Sequence, residues 1–123
     1  MLNSREEAIR SEIIEDVRPW GRFRCYAYNQ KCTVKILTVN PKQRLSKQTH
    51  NHRDELWIVI DEGLQVELNE RVWNPKVDEE IVIPRDTFHR ISSLGPTGRV
   101  VEISFGEFDE KDIMRSDDIY GRK

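Results

Sequence analysis

Gln48, His50 and His52 occur at alternate positions, and on an extended strand their three side chains would project from one face. Glu55 follows closely, and the chain's third histidine, His89, comes far downstream, just after a short apolar run and a proline turn. Neutral imidazole, carboxylate and amide oxygen are all competent ligands for a borderline divalent ion such as zinc, iron or manganese. A plainer reading is that a surface strand carries polar residues on its wet face. Against it, the cluster runs directly into Leu56, Trp57, Ile58, Val59 and Ile60, a run that reads as a strand buried on both faces.

The rest of the chain must supply the scaffold. Ser4 to Asp16 has a helical pattern, with Glu6 and Glu7 in the first turn and Ala8, Ile9, Ile13 and Ile14 as an apolar stripe. Pro19, Trp20 and Gly21 break it. Arg22–Ala27 and Cys32–Val39 then read as a hairpin around residues 28–31, with Asn29 suited to the turn. Beyond Gly63 the expected strands are all short, at Leu64–Leu68, Arg71–Trp73, Ile81–Ile83, His89–Ser92 and Arg99–Phe105. Many short strands without long intervening helices predict an all-β sandwich or barrel. A helical extension over 1–17 and one β domain over 18–123 are therefore expected.

Composition excludes several classes. The 123 residues make one domain, and a net charge of −2 with interspersed signs offers no field for nucleic acid or an anionic membrane. No apolar stretch approaches the roughly 20 residues of a membrane span, and the amino terminus is not a signal-peptide pattern, so a cytoplasmic protein is expected. Cys25 and Cys32 make no disulfide framework and read as reduced thiols.

The order of parts resembles a cupin, a double-stranded β-helix (jelly-roll) barrel with a metal in its mouth. Gln48 and His50 fall on the two histidine positions of the first cupin motif, Glu55 on its glutamate, and His89 closes the second motif, which begins at Pro84. More closely, Arg18 to Arg122 is similar to the type II phosphomannose isomerase (mannose-6-phosphate isomerase) cupin domain. The resemblance is carried by Arg18-Pro19-Trp20-Gly21, Lys35 with Leu37-Thr38-Val39, Arg44-Leu45-Ser46, the Gln48-to-Trp57 stretch, Ile83-Pro84, His89-Arg90, Gly106-Glu107, Asp112-Ile113 and Tyr120-Gly121-Arg122. Lys42, Glu62 and Asp86 stand where that family's motifs usually hold glycine, and Ser93 where they hold asparagine.

The resemblance implies a divalent metal, zinc first with iron, manganese, nickel or cobalt as alternatives, held by Gln48, His50, Glu55 and His89. A second count replaces Gln48 by His52, and a five-coordinate site would use both. It implies an aldose–ketose isomerase interconverting mannose 6-phosphate and fructose 6-phosphate, with His52 as base and Arg53 beside it. The alternative is a cupin that binds a phosphosugar or sugar nucleotide without turnover, or with another chemistry such as epimerisation. Arg53, Arg44, Lys47 and Lys35 are the candidates for the sugar's phosphate, Arg53 first because arginine clamps a phosphate through two donors. Lys35 shares a strand face with Leu37 and Val39; if that face is interior, its ammonium needs a partner. Arg90 is expected to point away from the site, and Trp57 and Phe88 to be core or pocket wall. The expected partners are a small phosphorylated sugar and a second copy of the chain in a homodimer.

Overall fold

The computed structural model describes residues 4–117, so Tyr120, Gly121 and Arg122 of the resemblance lie outside the described residues. Helix α1 spans Ser4–Ser11 and ends about a turn and a half before the expected limit at Asp16. Ile14–Arg18 is instead a strand, β1, paired antiparallel with β2 (Gly21–Cys25) across the turn at Pro19 and Trp20. Ile13, Ile14 and Val17 are β-branched and give up little by leaving the helix, and cross-strand pairing decides between the two. A boundary between residues 17 and 18 would divide this strand.

The expected hairpin between residues 22–27 and 32–39 does not form. β2 pairs with β1, whereas β3 (Cys32–Val39) pairs along its length with β10 (Gly98–Gly106). Asn29 does adopt the left-handed conformation of a turn residue, with φ 53°, and Cys25 and Cys32 are both free thiols. No described helix is long and apolar enough to cross a membrane.

The remaining strands are β4 (Lys47–Thr49), β5 (Arg53–Val59), β6 (Leu64–Leu68), β7 (Arg71–Trp73), β8 (Glu80–Ile83), β9 (His89–Ser93) and β11 (Met114–Asp117). They form two sheets, one ordered β3-β10-β5-β8 and the other β11-β4-β9-β6-β7. This is the expected all-β double-stranded β-helix barrel, the cupin fold, with a short amino-terminal helix. Its interior is filled by Val39, Trp57, Val59, Leu64, Val66, Ile81, Ile83, Ile91 and Val100. The outer face of the four-stranded sheet carries a second cluster, in which Ile9 and Ile13 pack with Tyr26 over Leu56, Val82 and Ile103. β5 is therefore buried on both faces, as its unbroken apolar run required.

Two details explain how the sequence tolerates its unusual positions. Lys42 and Asp86, in place of glycine, keep positive φ values of 62° and 64°. At the third position the left-handed residue is Gly63, with φ 88°, one place past Glu62, so the turn has moved along the chain by one residue. Glu80 ties the amino-terminal segment to the barrel: it accepts from Arg24 Nε (2.8 Å) and Nη2 (2.9 Å) and from the Tyr26 hydroxyl (2.7 Å). Burial pushes the Glu80 carboxyl up, but these donors outweigh it and hold the group below its ordinary value.

Two stability measurements follow from this. Lys42→Gly removes the side-chain clash of a left-handed lysine and should raise stability by about 0.5–1 kcal/mol in thermal or urea melts. Glu80→Gln should cost about 1–2 kcal/mol at neutral pH, since it weakens hydrogen bonds that are charge-assisted but partly exposed. Because the folded-state value is depressed, that cost should persist above pH 4.5, the ordinary value, and fade as the pH falls through the folded value. A cost that is unchanged at low pH would refute the assignment.

Candidate metal centre

The cluster strand expected from the alternation is two strands with a bend between them. β4 belongs to the five-stranded sheet and β5 to the four-stranded one, so the chain crosses from one sheet to the other at residues 50–52. His50 stays inside at this crossing, where its carbonyl accepts from the Asp86 N–H at 2.7 Å. His89 opens β9 directly opposite Gln48 of β4, and Glu55 points in from β5. The bend breaks the period of two, so His52 leaves the face that it was expected to share.

His50, Glu55 and His89 converge: each is buried and each offers a ligand atom within 4.8 Å of the others. The Nδ1–H of His50 donates to the Asp112 carbonyl at 2.7 Å, and that of His89 to the Thr87 carbonyl at 3.0 Å. These acceptors fix the tautomers, so each Nε2 carries the lone pair, that of His50 3.4 Å from Glu55 Oε2 and that of His89 3.7 Å from Oε1. Burial lowers both imidazole pKa values, against the opposing pull of Glu55, and keeps the rings neutral near pH 7. Glu55 Oε2 accepts from Arg53 Nε at 3.0 Å, whereas Oε1 is buried without a hydrogen-bond partner. An orphaned carboxylate oxygen beside the His89 lone pair, with His50 Nε2 in the same group, fits a divalent cation.

Gln48 lines the same cavity, and its amide N–H₂ lies 3.4 Å from the Ser46 carbonyl and hydroxyl, leaving its carbonyl oxygen as the group to offer a cation. The cavity measures about 260 Å³ and is also lined by Lys35, Arg53, Trp57, Arg90, Glu102, Phe108 and Arg115. Arg53 is engaged on every side: besides Glu55 it reaches His50 Nε2 (3.2 Å) and the Asp109 carbonyl (3.1 Å), and its guanidinium lies 4.5 Å from the Phe108 ring centre. Lys35 points inward, with Nζ 4.0 Å from the same ring on Phe108.

Other expected site residues lie elsewhere. The His52 side chain is 73% exposed and sits against Asp112 in a separate surface depression with Glu107 and Lys111. Arg44 bridges to Ser92, and Lys47 lines another depression with Asn69, Glu70 and Phe88; neither borders the cavity. Arg90 does border it, against expectation, held by Glu67.

Sequence reasoning missed Glu102, Phe108 and Arg115. Glu102 had a signal, because it is in phase with the inward Val100 in a strand that alternates strongly. Burial first, then the charge of Glu55, pushes its carboxyl up to about 7. Phe108 and Arg115 had no such signal, since they come from the connection into β11 and from β11 itself. Asp112 accepts the backbone N–H groups of Asn51 (3.0 Å) and His52 (2.9 Å) with its carboxylate, which brings that connection back over the cavity.

The chain has clear relatives. The family model described as "Mannose-6-phosphate isomerase C-terminal" matches residues 4–118. The chain is 34% identical over 110 residues to the alginate biosynthesis protein AlgA of Pseudomonas aeruginosa, a match that covers 88% of this chain and 23% of that protein. It is also 34% identical over 110 residues to the mannose-1-phosphate guanylyltransferase ManC of Salmonella typhimurium, with the same coverages. Among solved structures, a Klebsiella pneumoniae protein with a double-stranded β-helix domain superposes with a TM-score of 0.62 at 16% identity, over 94% of this chain and 96% of that one.

These findings correct one expectation. The chain spans about a quarter of the length of the curated relatives it matches, which are named for alginate biosynthesis and guanylyl transfer. Interconversion of mannose 6-phosphate and fructose 6-phosphate is not carried over from such proteins to this chain. The base which that reaction would have used, His52, also lies outside the cavity.

The geometry makes a direct prediction about metal affinity. Glu55→Gln and His89→Ala should each weaken divalent-ion binding by roughly a hundredfold or more, beyond the effect of losing an outer partner. His52→Ala should leave it within about twofold. Competition against a chelating dye measures all three, and equal losses in the three variants would place the centre elsewhere.

Proposed function

The chain belongs to the Mannose-6-phosphate isomerase C-terminal family, and on that premise we propose that it binds a phosphorylated sugar at a zinc centre in the mouth of its barrel. The observation that carries this reading is the unpartnered, buried Glu55 Oε1 beside His89 Nε2, with His50 in the same group, next to a cavity lined by Lys35, Arg53, Arg90 and Arg115. Two nitrogens, a carboxylate oxygen and the Gln48 amide oxygen suit zinc as a borderline ion. When bound, the ion supplies a Lewis acid for the sugar's oxygens.

The chain's own residues do the rest. Arg53 holds Glu55 Oε2, so that only Oε1 turns to the ion, and the Asp112 and Thr87 carbonyls keep the two imidazoles aimed. Arg53 is thereby committed to the centre and is a poor phosphate clamp. Of the four cations expected to take the phosphate, Lys35 alone both borders the cavity and is not bound into the centre, but it lies directly opposite Glu102, whose carboxylate would repel an anion. Arg115, from the opposite sheet, is therefore the candidate for the phosphate, and its guanidinium suits that group better than an ammonium does. A cavity of about 260 Å³ lies just below the usual range of roughly 300–1,000 Å³ for small-molecule sites. It therefore suits a single sugar phosphate, and the nucleotide of a sugar nucleotide would have to lie outside the mouth.

Calorimetric titration of the zinc-loaded chain tests the proposal. A hexose 6-phosphate should bind, the free hexose should bind at least about tenfold more weakly, and chelation should abolish both. Equal affinity for sugar phosphate before and after chelation would overturn the reading, as would no binding by the metal-loaded protein.

A further inference from the structure

The four-stranded sheet places a row of three side chains across the cavity floor that the metal centre does not use. Lys35 on β3 and Glu102 on β10 are direct cross-strand partners, and Trp57 on β5 is the partner of Glu102 on its other side. All three line the cavity. Glu102 is only 7% exposed, and Oε2 accepts from Trp57 Nε1–H at 3.2 Å. Among the described residues no other hydrogen bond reaches the Glu102 carboxylate, and none reaches Lys35 Nζ, which rests on the face of Phe108.

We propose that Glu102 and Lys35 form a second recognition station in this pocket, one that takes the uncharged, hydroxyl-bearing part of the sugar. The proposal rests on the reading of the cavity as a phosphorylated-sugar site. Stability alone would put an apolar side chain at Glu102, as at Val100 two residues before it on the same face, because a buried carboxylate with one indole donor is under-satisfied. The pair is matched to hydroxyl groups. A carboxylate accepts from hydroxyl hydrogens, an ammonium donates to hydroxyl oxygens, and neighbouring hydroxyls on a sugar ring present both. A second anion would meet Glu102, and a cation would meet Lys35, so each is disfavoured. Phe108, beneath the ammonium, holds Lys35 in place at the cavity wall. The two stations divide the ligand: metal and arginine for its anionic and coordinating oxygens, and the Lys35–Glu102 row for the remaining hydroxyls.

The test compares two probes on the zinc-loaded full chain, a hexose 6-phosphate and propyl phosphate, which carries the same anion without hydroxyls. The native chain should bind the hexose phosphate roughly tenfold or more tightly than propyl phosphate, as expected for hydrogen bonds to charged groups. Glu102→Leu and Lys35→Met should each remove that advantage while leaving propyl phosphate and zinc affinities within about twofold. Lys35 lies on an edge strand, so its variant keeps the test decisive if Glu102→Leu fails to fold. Hexose phosphate affinity unchanged in Lys35→Met would overturn the second station and leave the metal-site reading standing. If the native chain bound neither probe, the phosphorylated-sugar reading itself would fall, and this inference with it.

Discussion

The structure turns on one oxygen atom. Glu55 Oε1 is buried beside His89 Nε2, and the imidazole tautomers set by Thr87 and Asp112 give the ring nitrogens nothing to donate inward. Arg53 supplies one proton to His50 Nε2 and one to Glu55 Oε2, but it does not reach the remaining pair. An acceptor facing an acceptor inside a protein costs desolvation and gains nothing, on the order of 1–3 kcal/mol for each group. A divalent cation satisfies both at once. The accounting of donors and acceptors thus shows a group that could hold a metal, and the family resemblance agrees with it.

That accounting draws in a segment far from the ligands in sequence. The connection between β10 and β11 delivers the Asp109 carbonyl to Arg53, the Asp112 carbonyl to His50, and the Asp112 carboxylate to the backbone at Asn51 and His52. Burial pushes the Asp112 carboxyl up, but these N–H donors and His52 more than offset it and hold the group below its ordinary value. The role of His52 is therefore structural: its backbone N–H and its ring both help to pin the connection that aims His50. The same connection carries Phe108, the shared surface under Lys35 and Arg53.

Whatever was fixed by local pattern could be read from the sequence, and whatever needed long-range pairing could not. The buried character of β5 followed from its unbroken apolar run, and periodicity put Lys35, Leu37 and Val39 on one face without saying that the face was the inward one. The β2–β3 hairpin failed because turn chemistry at Asn29 says that the chain reverses, not which strand it then joins; β10, some sixty residues on, was the stronger partner. The grouping of His50, Glu55 and His89 was legible because their residue types and the family motifs marked them out together. His52 was misplaced because alternation holds only within one strand, and no residue type marks the crossing between sheets at 50–52. Phe108 and Arg115 had no local pattern at all, and only the closure of the β10–β11 connection brings them to the cavity.

A barrel with this many charged groups inside needs its stability from elsewhere, and the two-faced burial of the four-stranded sheet supplies it. Along β5 the inward positions change from Arg53 and Glu55 at the mouth to Trp57 and Val59 deeper in, so half of the strand's inner face contributes little hydrophobic stabilisation. The outward positions Leu56 and Ile58 make up the difference, because Ile9 and Ile13 of the amino-terminal segment and Tyr26 cover that side. Glu80 then locks the segment in place through Arg24 and Tyr26, at the far edge of the same sheet. Extra core on the outside of the sheet is what permits a polar cavity on the inside. The short helix contributes no residue to the centre, yet the apolar cover it gives the outer face offsets what the polar inner face gives up.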